Sequence, residues 1–260
     1  MPERPRRTDG PQRPLHSAPP TRPRRVWPDA EALTIRGARD RELPALLDRP
    51  PDGVPARGGI VLAHGAGGTS RMAFLARAAR RLAAAGWLVL RFDFGYAVGR
   101  GRPGPPERPT APERRDLAAA LETMHGLLPD RLPIYLAGKS YGGRVATFVA
   151  AEVGPEIAGV IVFGYPIEPP GRTRPADVAA LRALEAPLLV VQGTRDTLGP
   201  LAVLERALAG RPEATVSALA GADHSYRLPA GVHSRPTLLE DRAIDAAIGW
   251  LEAQDTPDPA

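Results

Sequence analysis

PIYLAGKSYGGR, residues 133–144, ends an apolar run and then packs three glycines, a lysine and a serine into six residues. Two chemistries share this lettering. A Gly-Lys-Ser ending belongs to phosphate-binding loops, whereas a serine set between glycines on a strand-to-helix turn is how a hydroxyl nucleophile is presented. The phosphate loop needs a glycine five residues before its Gly-Lys pair, so that flexible backbone can wrap the phosphate. Here that position is Pro133, and Ile134, Tyr135, Leu136 and Ala137 read as strand. The phosphate-loop reading fails. Gly138-Lys139-Ser140-Tyr141-Gly142 instead fits Gly-x-Ser-x-Gly, with the strand before it and the apolar VATFVAAEV after it to form the helix. Such a turn strains the serine, lets the flanking backbones approach closely, and sets a helix N-terminus where negative charge is stabilised.

The surrounding pattern supports a strand-turn-helix reading. Short apolar runs predict strands at 32–36, 43–47, 59–63, 87–92, 133–137, 157–163, 187–192 and 214–219. The central ones are continuously apolar, as strands covered on both faces must be. Between them, Met72, Leu75, Ala79 and Leu82 recur at helical spacing, as do Leu117, Leu121, Met124 and Leu128, and a last helix uses Ile244, Ile248 and Leu251. Alternation of this kind implies right-handed crossovers and an α/β fold: a mostly parallel central sheet with helices on both faces, the first two strands running antiparallel to it. Ligands of such sheets sit beyond the carboxyl ends of the strands.

Composition narrows the function classes. The chain has no cysteine, which removes disulfides, thiolate metal sites and a cysteine nucleophile. Of 34 basic and 29 acidic residues, seven arginines with Glu3 and Asp9 lie in residues 1–25. They account for the whole net charge of +5 and leave 27 basic against 27 acidic side chains in the body. The folded domain therefore has no bulk electrostatic reason to bind nucleic acid. Lys139 is the single lysine, and the arginine bias, beside abundant Ala, Gly and Pro, reflects codon composition.

Residues 1–28 mix Pro and Arg without apolar periodicity and are expected to be a disordered tail. The folded domain is expected over 29–255, with a short disordered tail at 256–260. No apolar run is long enough to span a bilayer, and the N-terminus lacks the apolar core of a signal peptide. The expectation is a soluble cytoplasmic protein. GRGRPG, residues 99–104, imitates a dinucleotide-binding fingerprint, but Pro105, Pro106, Pro109 and Pro112 follow where a helix would have to receive the pyrophosphate.

A serine hydroxyl needs a base within hydrogen-bond reach and a third group to orient that base. After the strand at 187–192 comes Gly193-Thr194-Arg195-Asp196, and after the one at 214–219 comes Gly221-Ala222-Asp223-His224-Ser225. Each places a chemistry-bearing residue just past a strand end. His233 lies nine residues further on and is a rival base, but His224 follows its strand at the shorter distance. His16 falls in the tail and His125 within a helix. Asp223 is a rival acid, yet adjacent side chains usually diverge, so Asp196 is preferred. Ala63-His64-Gly65-Ala66-Gly67-Gly68 follows the first central strand and can aim backbone N–H groups at the serine. The N–H groups of Ala66 and Tyr141 are the expected oxyanion donors, with His64 bracing the loop.

The order Ser140, Asp196, His224 and the four stretches HGAGG, GKSYGGR, GTRD and ADHS resemble the serine α/β-hydrolase superfamily over about residues 30–254. They are most similar to its small dienelactone-hydrolase-like subgroup, which also has relatives in a subunit of the NSL chromatin complex. The resemblance implies Ser140 as nucleophile, Asp196 as acid and His224 as base. It implies no cofactor, and a small-molecule ester or thioester as substrate. Dienelactone hydrolases use cysteine, so Ser140 departs from that pattern. Noncatalytic relatives keep open an alternative, an interaction module with little turnover and an unknown protein partner. Only residues 165–176 separate the sixth strand from the next helix, which leaves no room for a cap domain. The mouth is expected between this loop and the Pro- and Gly-rich 95–111 segment. Arg100, Arg102, Arg172 and Arg174 either favour anionic acyl groups there or are simply solvated.

Overall fold

The computed structural model of the chain describes residues 30–99, 104, 109–129, 131–170, 172, 174–232, 235 and 237–254. The expected tails at 1–28 and 256–260 lie outside these, as do His16, His233, Arg100 and Arg102. Among the described residues the strands are β1 (Glu31–Arg36), β2 (Glu42–Asp48), β3 (Gly58–Ala63), β4 (Trp87–Phe92), β5 (Ile134–Lys139), β6 (Gly159–Phe163), β7 (Leu188–Gly193) and β8 (Ala214–Leu219). The helices are α1 (Ala73–Ala84), α2 (Ala111–Leu127), α3 (Tyr141–Val153), α4 (Pro175–Ala183), α5 (Leu201–Leu208) and α6 (Leu238–Gln254). The strands form one sheet in the order β1-β2-β4-β3-β5-β6-β7-β8.

From β4 to β8 in that order every neighbouring pair is parallel. The expectation that both leading strands oppose the sheet needs correction. β2 is antiparallel to β4, but β1 is antiparallel to β2 and so runs with the parallel set. The reason is local: only residues 37–41 join β1 to β2, too few for a crossover, so β1 folds back as a hairpin.

Alternation along the buried strands sorts the core into two layers. Val61 and Ala63 of β3, Leu136 of β5 and Val162 of β6 pack with Leu117, Leu121, Val145 and Val149 of α2 and α3. Ile60 and Leu62, Tyr135 and Ala137, and Ile161 and Phe163 face the other way onto Leu75, Ala79, Leu82, Ile244 and Leu251 of α1 and α6. Each fully buried Leu, Ile, Val or Phe contributes on the order of 1.5–3 kcal/mol, so a strand apolar on both faces is held from both sides. This two-sided burial is why the central strands lack polar alternation. α2 starts at a capping box, with Thr110 and Glu113 satisfying each other's backbone donors, and Pro112 sits in its first turn where no N–H is needed.

The ion pair between α3 and α4 lies wholly inside. Arg144 of α3 and Asp177 of α4 are 2% and 1% exposed, and they meet through two bonds, the guanidinium Nη2 donating to Oδ2 at 3.0 Å and Nε to Oδ1. The Tyr165 hydroxyl donates to the same carboxylate at 3.3 Å. Such a pair fixes the registry of two helices, but removing one partner leaves a buried charge without its counterion. Asp177→Ala is therefore expected to lower the unfolding free energy by about 3–5 kcal/mol. The double change Arg144→Met with Asp177→Leu should recover most of that loss, with denaturant titration as the measurement.

Candidate active site

β5 is the centre of the sheet, and its last residue, Lys139, is followed directly by Ser140 and the first turn of α3. The chain has to reverse within one residue there, and Ser140 takes φ 53° and ψ −112°, a conformation few non-glycine residues adopt. It is pinned by its own N–H, which donates to the Phe163 carbonyl of β6 at 3.0 Å. Gly142, two residues on, has no room for a side chain, because a Cβ would stand 2.6 Å from the carbonyl oxygens of Ala63 and His64. The start of α3 is thereby pressed against the end of β3.

Three expected residues come together beyond the strand ends. His224 Nδ1 lies 2.6 Å from Asp196 Oδ2, and His224 Nε2 lies 2.8 Å from Ser140 Oγ. A carboxylate can only accept, so the ring proton sits on Nδ1 and Nε2 is left to accept from the serine hydroxyl. Asp196 is fully buried and its other bonds are all accepted: Oδ1 takes the N–H groups of Leu198 at 2.9 Å and Gly199 at 3.2 Å, and Oδ2 takes Gln192 Nε2 at 2.8 Å. The His224 side chain is 20% exposed, so the imidazole stands at the boundary between this buried carboxylate and solvent.

The rivals separate from the site. Asp223 spends Oδ1 on the N–H groups of Ser225 and Arg227, both at 2.8 Å, and so shapes the turn that carries His224. His125 is exposed on α2, and His233 lies outside the described residues. His64 is fully buried and braced at both nitrogens. The Phe94 N–H donates to Nε2 at 3.0 Å, which puts the proton on Nδ1 to donate to the Gly65 carbonyl at 2.8 Å.

The loop after β3 approaches the serine, since a Cβ on Gly65 would stand 3.6 Å from Ser140 Cβ. A Gly68 N–H bond to the Gly65 carbonyl at 3.1 Å closes its turn around Ala66, which is exposed. Tyr141 opens α3, where the first N–H groups have no acceptor within the helix. A buried ion pair supports this loop from behind. Arg91 of β4 donates to Asp48 at 2.7 and 2.9 Å and to the Ser70 carbonyl at 2.6 Å, and the Ser70 N–H donates to Asp93 at 2.6 Å. His64, Phe94, Tyr96 and Tyr141 form a contiguous aromatic wall beside it, with ring centroids 5.0–6.2 Å apart. Burial pushes the Tyr96 and Tyr141 phenols well above their ordinary range, so both stay neutral.

Residues 56–251 match the family model of an alpha/beta hydrolase domain. The chain belongs to the α/β-hydrolase family. Solved hydrolases share its fold. A serine hydrolase without a lid from Xanthomonas campestris is 23% identical, with a TM-score of 0.64 over 90% of this chain and 98% of that one. An α/β serine hydrolase homologue from Coxiella burnetii is 20% identical, with a TM-score of 0.64 over 87% and 97%. A dienelactone hydrolase from Anabaena variabilis is 22% identical, with a TM-score of 0.62 over 87% and 98%. No curated protein sequence matches the chain. In this chain residues 164–174 alone connect β6 to α4, which leaves no room for a domain inserted there. No helix among the described residues is long and apolar enough to cross a membrane.

Two residues beside the Ser140-His224-Asp196 hydrogen-bonded chain escaped the sequence reading, Lys139 and Gln192. Gln192 of β7 is fully buried; its amide donates to Asp196 and, at 2.7 Å, to the Gly199 carbonyl, while its oxygen accepts the Tyr165 N–H at 2.8 Å. It joins the ends of β6 and β7 around Asp196. An amide inside an apolar strand run was the available signal. Gln192→Leu is expected to lower stability by at least about 1–3 kcal/mol in urea unfolding, since buried donors and acceptors are left unpaired. Gln192→Glu should cost more, because it sets a second carboxylate against Asp196.

Proposed function

We propose that this hydrolase cleaves a small carboxylic ester or thioester through an acyl-enzyme intermediate. The observation that carries the reading is the continuous hydrogen-bonded chain from Ser140 through His224 to Asp196. In the proposed cycle His224 Nε2 takes the Ser140 proton as Oγ bonds to the substrate carbonyl carbon. The resulting oxyanion is held by the Ala66 and Tyr141 N–H groups, and the Gly65 approach to Ser140 supports that pairing of loops. The bond to the leaving oxygen or sulfur then breaks, and the leaving group departs with the proton from His224. Water, deprotonated by His224, attacks the acyl carbon, releases the acid and returns the proton to Ser140. Asp196 orients the imidazole and stabilises its protonated form throughout. The short connection between β6 and α4 supports a small substrate, because no cap is present there to enclose a long one.

Covalent labelling by a fluorophosphonate tests activation of the serine without knowledge of the substrate. Wild type is expected to label, Ser140→Ala not at all, and His224→Ala at least about 100-fold more slowly, the usual contribution of a positioned base. Folded wild type that stays unlabelled, or labelling that survives Ser140→Ala, would overturn the proposal.

A further inference from the structure

We propose that Lys139 is a positioning residue for the base: its ammonium clamps the His224 backbone, so that consecutive residues of one strand end fix the nucleophile and the base together. The inference rests on the reading of Ser140 and His224 as nucleophile and base.

Lys139 is the last residue of β5 and only 8% exposed. Its Nζ donates to the His224 carbonyl at 2.6 Å and lies 4.8 Å above the centre of the Tyr226 ring. Tyr226 is itself fixed, its hydroxyl donating to the Val191 carbonyl at 2.8 Å and its backbone turned to φ 60°. The third side of the chamber is Gly164, at φ 72°. A Cβ there would stand 2.9 Å from the ammonium and 3.4 Å from both Cε1 and Nδ1 of the His224 ring. The ammonium and the imidazole therefore both border the space that a side chain at Gly164 would fill. The carbonyl and the π face are the two partners that a buried ammonium can use there.

The residue type is informative. This chain uses arginine at 33 of its 34 basic positions and lysine at this one. A guanidinium is planar and spreads its donors over a fork, whereas an ammonium is a compact charge that can serve one carbonyl and one ring face at once. Burial is costly, and desolvation lowers the Lys139 pKa to about 8, against the opposing pull of Asp196, Asp223 and Glu240. A side chain serving only to fill this space would be apolar. The ammonium is retained where it holds the loop that carries the base.

The test begins with Lys139→Met, which keeps the packing and deletes the donor. The expected result is an unchanged melting temperature with fluorophosphonate labelling and kcat on p-nitrophenyl acetate reduced about 10- to 100-fold and KM little altered, the signature of a misplaced reacting group. Because the chain has no cysteine, Lys139→Cys is the only thiol and permits a chemical rescue. Alkylation of the unfolded variant with 2-bromoethylamine, followed by refolding, rebuilds an ammonium of nearly the same reach. Alkylation with 1-bromopropane builds an apolar chain of the same length. Rescue by the aminoethyl group and not by the propyl group supports the clamp. Labelling of Lys139→Met at the wild-type rate, or equal rescue by both groups, overturns it while leaving the function of Ser140 intact. Failure of wild type itself to label removes the proposed function and this inference with it.

Discussion

The backbone at Ser140 is the constraint on which the rest of this end of the sheet depends. A non-glycine residue held at φ 53° and ψ −112° costs of order 1–3 kcal/mol and persists only where its surroundings over-determine it. Here the over-determination has four sources. The Ser140 N–H is tied to β6, α3 is packed into the apolar layer, Gly142 touches the carbonyls at the end of β3, and Lys139 extends in the other direction to the loop after β8. Relaxing the serine would require moving elements that are each buried for other reasons. The strain is thus a measure of how firmly the three strand ends are joined.

Charged groups inside the molecule divide by what they join. Arg144 with Asp177 sets α3 against α4, and Arg91 with Asp48 supports the loop after β3. Both are nearly inaccessible to water, where geometry and completeness of pairing matter more than number. The pairs from Arg77 and Arg81 of α1 to Glu240, Asp241 and Asp245 of α6 lie nearer the surface. Pairs of that kind contribute little each and lose strength with salt. The interior pairs therefore do more than the surface pairs to hold the elements around the site.

The fold was legible because its central strands are buried on both faces, a condition that leaves runs such as GIVLA and WLVLRF with no other reading. Ser140 and Asp196 were legible because each stands just past such a run, whereas His224 follows the half-exposed edge strand β8 and was legible from its place after a strand end. What escaped notice depends on partners remote in sequence. Lys139 bonds to a carbonyl 85 residues away and Gln192 braces Tyr165, 27 residues back, and nothing in either residue's neighbours announces it. Within the Pro- and Gly-rich 95–111 segment, Gly95–Ala97 forms a 3-10 turn. The Gly95 N–H is held by Asp116 of α2 at 2.8 Å, and its carbonyl accepts from Arg41 in the link between β1 and β2. Proline and glycine content describes local freedom, and here the ordering groups come from elsewhere. The direction of β1 is the opposite case: it is set locally, by the short connection 37–41 that permits only a hairpin.

The directness of the connection between β6 and α4 has a kinetic meaning. Enzymes that cover their substrate with a mobile body often wait on that body, and they use its closure to expel water from the reacting bond. A chain that makes this connection with residues 164–174 has no such body there to swing. In the proposed cycle, stabilisation of the developing negative charge would then fall to dipoles already fixed by the fold, and an acyl group on Ser140 would stand within reach of bulk water. On the proposed reading, this tilts the partition of the intermediate toward hydrolysis and away from transfer to a rarer acceptor.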